Sequence, residues 1–199
     1  MLTDKEDYLE AGVNIGSRQT VKDMEPFIFQ VKKNNLAIID LDQTDERIRQ
    51  AGQLLAEYEP EDVLVVSRKE VGHRPVVTFA EATGAERIFD RFMPGTLTNP
   101  QSEDFMEPEV LVVTDPEEDH TAVMESVDAN IPVVTIANTG NSLEYIDLAI
   151  PGNNNAAGSV ALIYYLLARE MLKARGDIAD DDDFDYTVDD FAAEDLDGD

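Results

Sequence analysis

Val110-Leu111-Val112-Val113-Thr114-Asp115 opens with four apolar residues, mostly β-branched, and no polar alternation. A strand of that kind has no face suited to water, so it belongs in a sheet covered on both sides. The same pattern recurs outward from it. Residues 119–129 have helical periodicity, Ile131-Pro132-Val133-Val134-Thr135-Ile136 is another strand, and residues 146–150 form a short apolar piece at an edge. On the other side, residues 85–89 and Val63-Leu64-Val65-Val66 read as strands separated by a helix over 75–82 that ends at Gly84. Leu36-Ala37-Ile38-Ile39-Asp40-Leu41 reads as the first strand of the series. After it, residues 44–58 form a helix with Ile48, Ala51, Leu54, Leu55 and Tyr58 on its apolar face. Residues 156–175 form a long helix that buries Val160, Leu162, Ile163, Leu166, Leu167, Met171 and Leu172 and stops at Gly176.

Strands apolar throughout, alternating with helices, specify an α/β domain. The expected architecture is a three-layer α/β/α, flavodoxin-like (Rossmann-like) fold with a mostly parallel sheet of about five strands. A short helix over residues 3–11 precedes it, with Thr3 and Glu6 at capping-box spacing. Residues 24–31 are ambiguous between strand and helix. One domain over residues 1–176 is expected, followed by a disordered acidic tail over 177–199, where Asp dominates and apolar residues are too few for a core.

The 199 residues carry 43 acids against 15 bases, a net charge of −28. Twelve of the acids and none of the bases lie in 177–199, so residues 1–176 alone carry −16. Such a surface repels nucleic acid and itself in ordinary buffer. A whole domain this acidic fits a halophilic cytoplasm, where about 1 M salt cuts the Debye length to roughly 3 Å. With no cysteine, disulfides, thiolate catalysis and cysteine metal sites are excluded. The charged N-terminus shows no signal peptide, and no apolar run approaches the roughly 20 residues that span a bilayer, so a cytoplasmic location without membrane is expected.

Ligands of open α/β sheets sit at the C-terminal ends of the strands. Those ends offer Asp40 and Asp42, Ser67 and Arg68, Thr114 and Asp115, and Asn138 and Thr139. Asp115, Glu118, Asp119 and His120 could serve as metal ligands or acid/base groups, but carboxylates are equally at home at a helix N-terminus. Neither His73 nor His120 has a nucleophile elbow nearby, and His73 reads as a loop residue. Between Arg91 and Arg169 there is no Lys or Arg, which argues against a phosphate site on the later strands. No cofactor is expected. The cations that exist cluster in the first half: Arg18 with Lys22, Lys32 with Lys33, Arg68 with Lys69 and Arg74, and Arg87 with Arg91. They either screen the acidic surface or meet a phosphate backbone.

Arg91-Phe92-Met93-Pro94-Gly95-Thr96-Leu97-Thr98-Asn99-Pro100 does not fit the regular rhythm. Pro94-Gly95 forces a turn, and Thr96, Thr98 and Asn99 offer short polar side chains. Two readings stand: a self-satisfied turn, or a loop shaped for a macromolecular partner.

That loop resembles the signature of the S-two family of small-subunit ribosomal proteins, in its archaeal and eukaryotic form. The resemblance extends in order through Gly12-Val13-Asn14-Ile15-Gly16, Asp23-Met24, Pro26-Phe27-Ile28, Thr44-Asp45-Glu46-Arg47-Ile48, Thr114-Asp115-Pro116, Asn130-Ile131-Pro132-Val133-Val134, residues 147–154 and Tyr164-Tyr165-Leu166-Leu167-Ala168-Arg169-Glu170. It covers roughly residues 5–176. It implies a structural, non-enzymatic role in translation, with small-subunit ribosomal RNA and neighbouring small-subunit proteins as partners and no DNA. Arg18, Lys22, Arg68, Lys69, Arg74, Arg91, Thr96, Thr98 and Asn99 are the expected contacts. Two departures stand out: Asn14 where the family usually has His, and Asn155-Ala156-Ala157-Gly158 in place of a usually basic stretch. Two other functions compete: an acidic scaffold docking basic proteins through its tail, and a small-molecule enzyme using Asp115 and His120.

Overall fold

In the computed structural model, which describes residues 1–192, the apolar runs form one parallel sheet, except the first. The chain opens with α1 (Lys5–Glu10), a 3₁₀ helix (Lys22–Phe27), and strands β1 (Ile28–Val31) and β2 (Ala37–Ile39). Helix α2 (Leu41–Leu55) follows, capped by Asp40, which accepts from Asp42 N at 3.1 Å. The remaining elements are β3 (Val63–Ser67), α3 (Glu70–Thr83), β4 (Glu86–Phe89), β5 (Val110–Val113), α4 (His120–Ala129), β6 (Val133–Ala137), β7 (Leu148–Pro151), α5 (Ala157–Arg175) and α6 (Val188–Ala192). Strands β3 to β7 lie parallel in the order β4-β3-β5-β6-β7, so the chain reverses direction across the sheet between β3 and β5.

The run at 36–41 is not the sheet's first strand. Residues Ala37–Ile39 pair antiparallel with β1 on one side, and Ile15 bridges Ile38 on the other. Three buried residues flanked by two chain segments satisfy the same apolar pattern as a parallel strand. The sheet has its five strands because the piece near 148–151 is a true edge strand. His73 lies within α3, whose first turn begins before Pro75, not in a loop. The ambiguous stretch at 24–31 divides into 3₁₀ helix and strand.

Alternate residues of the apolar strands go to opposite faces. Val63, Val65, Val110, Val112, Val134 and Ile136 pack under α2, α3 and α5. Leu64, Val66, Leu111, Val113 and Val133 face the other way, against Ala122 and Val123 of α4. Among the described residues only one full α-helix, α4, covers this second face. Phe92 and Leu97 fill the space beside it, and Met24 and Phe27 pack near Ala137 and Ala149. The 91–100 loop is therefore part of a helical layer in all but backbone shape.

The tail expected to be disordered over 177–199 is partly ordered. Phe184 and Phe191 are buried in the main core, and α6 packs on α3 and α5. Composition alone missed them because a few aromatic anchors suffice when they land on an existing core. The remainder of that tail, 193–199, lies outside the described residues.

Candidate functional site

The reversal between β3 and β5 marks where an open α/β sheet makes its ligand crevice. Here the chain's own side chains fill it. Asp119 accepts from Arg68 N at 2.7 Å and Asp115 N at 3.0 Å, joining the ends of both strands. Lys69 pairs with Asp115 at 2.5 Å and donates to Asn155 Oδ1 at 2.6 Å. The absence of cations between Arg91 and Arg169 is thus met at Asp115 by one reaching across from the end of β3. Gly72 closes the gap from α3: a Cβ there would sit 2.1 Å from Ser67 Oγ. Asp115, besides, accepts from Glu117 N at 2.9 Å in a local turn. His120 is exposed on α4, and no hydrogen bond joins it to Asp115 among the described residues, where no group of three metal-ligating side chains is found either.

Asp119 is buried, and burial pushes its pKa up to about 7 against the lowering effect of the two backbone N–H groups. Its ordinary value is 3.8. Between those values the folded chain holds a proton that the unfolded chain has released, so stability falls as pH rises through this window and levels off above it. The expected slope is of order 1 kcal/mol per pH unit. Urea unfolding at pH 5 and pH 7 checks it: Asp119→Asn should flatten the difference between the two conditions. An equal loss in both chains would refute the assignment.

Beside the filled crevice, asparagines tie the strand ends to the N-terminal turn. Asn153 Nδ2 donates to Gly12 O at 3.1 Å, and Asn154 Nδ2 to Ile136 O at 3.2 Å and Asn141 Oδ1 at 3.0 Å. Ser17 N donates to Thr139 Oγ1 at 2.7 Å. Asn153 and Asn154 are therefore structural, and Asn155 is engaged by Lys69. Likewise Thr44 Oγ1 donates to Pro151 O at 2.7 Å, and Asp45 accepts from Tyr8 OH at 3.1 Å. A shallow polar cleft of about 250 Å³ remains outside, between Ser17, Gln19, Lys69, Glu117 and Asn155.

The 91–100 loop turns its polar groups inward. Gly95, at φ +97°, makes the turn that Pro94 introduces. Glu125 of α4 accepts from Gly95 N at 2.6 Å, Leu97 N at 3.0 Å and Thr98 Oγ1 at 3.4 Å. Thr96 is buried and donates to Met93 O at 2.6 Å, so it is a fold residue and not a partner contact. Asn99 Oδ1 accepts from Gln101 N at 3.1 Å at the exposed rim. Glu125 was invisible from the loop's own sequence; only a buried acid on the facing helix could have signalled it.

The expected cations divide. Arg18, Lys22, Arg68 and Arg91 are exposed, and none has an ion pair among the described residues. Lys69 is committed to Asp115. Arg74 Nε donates to Asp190 O at 3.1 Å, so it holds the C-terminal segment. Ser17 and the ends of β3 and β5 bring Arg18 and Arg68 to the same edge of the sheet.

The family model described as Ribosomal protein S2 matches residues 8–104 and 102–174. Small ribosomal subunit protein uS2 of Thermoplasma acidophilum is 45% identical over 194 residues, 98% of each chain. That of Thermoplasma volcanium is 44% identical over the same share, and that of Picrophilus torridus is 41% identical over 96% of each chain.

Proposed function

The chain belongs to the ribosomal protein S2 family and is a structural constituent of the small ribosomal subunit; from that premise we propose that it binds ribosomal RNA and neighbouring small-subunit proteins through the strand-end edge, with no catalytic step. The observation that carries this reading is the filled crevice. The place where the fold would hold a small ligand is occupied by Asp119, Lys69 and Asp115, while Arg18 and Arg68 lie at the same strand-end edge and, with Lys22, have no ion pair among the described residues. Side chains already committed inside supply no substrate site, and uncommitted cations at a rim suit phosphate contacts.

The relatives named above are archaeal, and the ribosomal role supports a location in the cytoplasm with the ribosome. Among the described residues no helix is long and apolar enough to cross a membrane. We read the net charge of −28 as suited to concentrated salt. Screening removes the long-range repulsion from RNA, and affinity rests on hydrogen bonds, packing and a few phosphate contacts.

Sedimentation of the tagged chain through a sucrose gradient in high salt tests the assignment: it should comigrate with small subunits, and a position only at the top of the gradient would defeat it. Binding measured against potassium chloride tests the cations. Few phosphates are neutralised, so the log–log slope should be shallow, and Arg68→Ala should reduce it by about 0.7–0.9. A steep loss of binding between moderate and molar salt would overturn the salt-suited reading. A slope unchanged by Arg68→Ala would remove that residue from the interface.

A further inference from the structure

Strand β4 ends the sheet, and nothing pairs with its outer side among the described residues. Asp90 N donates to Ser67 O at 3.0 Å, which fixes the alternation along this strand. The N–H and C=O groups of Glu86 and Ile88 point toward β3, so those of Arg87 and Phe89 point away from the sheet. Phe89 is 43% exposed, and Arg87 is exposed too. Alongside this edge runs a groove of about 320 Å³ between Ile88, Met93, Phe105 and Met106, with Glu103 and Asp104 on its rim. An edge with free backbone groups beside an apolar groove is what an added strand requires: main-chain hydrogen bonds on one side, and a pocket for alternate side chains on the other.

We propose that β4 accepts an extended, basic segment of a neighbouring small-subunit protein as a sixth strand, with apolar side chains at alternate positions seated in this groove. The inference rests on the subunit assignment for the source of the partner. Charge selects the occupant. Glu86, Asp90, Glu103 and Asp104 outnumber Arg87 and Arg91 around the edge, on a chain carrying −28 overall. A second copy of this chain would set the same cluster, Glu86, Asp90, Glu103 and Asp104, at contact distance from this one, where salt screens least, so self-pairing is opposed. RNA offers no strand-pairing backbone and meets carboxylates at the groove. A basic peptide strand gains from both the hydrogen bonds and the field.

Hydrogen exchange of the peptides spanning 85–91 tests this, measured on the purified chain and on purified small subunits that contain it. Exchange should slow at least about tenfold on assembly. Met106→Asp, which places a charge in the groove at a half-buried position, should abolish the slowing; because Met106 also packs against the second core, the isolated variant is first shown to be folded by circular dichroism. Arg87→Pro, which deletes one outward N–H, should weaken it. Exchange unchanged by assembly in a chain that comigrates with subunits overturns the docking and leaves the subunit assignment intact. Equal protection in wild type and Met106→Asp also overturns it, and a chain that fails to comigrate defeats both.

Discussion

Replacing Glu125 by Ala should destabilise the fold by about 2–4 kcal/mol and release the loop over residues 93–99. The carboxylate is nearly buried, and it accepts from Gly95 N, Leu97 N and Thr98 Oγ1. Removing it leaves the Leu97 N–H without a partner inside the second layer, at a cost of about 1–3 kcal/mol for a stranded donor. Gly95 N is only half-buried and recovers part of its loss from water. The larger consequence is mechanical. Phe92 and Leu97, on either side of the turn, cover the sheet face that α4 alone does not fill, so a loosened loop opens that core. Glu125→Gln should fall between wild type and Ala, because its amide gives one acceptor and sets an N–H against the other donor. Urea midpoints with hydrogen exchange at residues 95–98 measure both effects. A midpoint for Glu125→Ala within error of wild type would mean that the loop is held by packing alone.

The Glu125 interaction shows where sequence reading reaches its limit. Strands such as Val63–Ser67 and Val110–Val113 were legible because burial on both faces writes itself into four adjacent residues. The same rule misplaced residues 36–41, since apolar continuity reports that both sides are covered and says nothing of what covers them. Ile38 pairs with Gln30 on one side and Ile15 on the other, in a small antiparallel sheet apart from the parallel one. Polar pairing is harder still. Thr96 and Thr98 looked alike in the sequence, yet one closes a local turn on Met93 and the other meets a helix 27 residues away. Among the cations, Lys69 and Arg74 resembled Arg68 as neighbours in a loop, and only the fold shows them reaching Asp115 and Asp190. What remained readable was the sign of the surface and the scarcity of cations. Of the expected contacts, Arg18, Lys22, Arg68 and Arg91 have no ion pair among the described residues, but neither do Lys5, Lys32, Lys33, Arg47 and Arg87.

Truncation after Gly176 should cost about 3–5 kcal/mol, and Phe191→Ala alone about 3–4 kcal/mol. An unstructured acidic tail would predict no loss, or a gain from relieved repulsion. Instead Phe191 is fully buried, with Tyr165 at 5.9 Å, and Phe184 lies 5.4 Å from the same ring. Asp190 O accepts from Arg74 Nε at 3.1 Å and Thr78 Oγ1 at 3.2 Å, and Asp181 pairs with Lys173 at 2.7 Å. These contacts stitch α6 across α3 and α5, and their loss bares the apolar groups that Phe184 and Phe191 cover. Two opposing terms then set the salt dependence. The removed segment carries twelve acids and no bases, so its departure also relieves self-repulsion. That relief counts most in dilute buffer, where the Debye length is about 10 Å at 0.1 M, and fades toward about 3 Å at 1 M. The lost aromatic packing does not fade, so the net cost of truncation should grow with salt. Thermal midpoints of full-length and truncated chains at low and molar potassium chloride measure this. Equal midpoints at molar salt would show that the aromatic anchors contribute nothing, while a gap that narrows with salt would assign the segment's hold to its ion pairs instead.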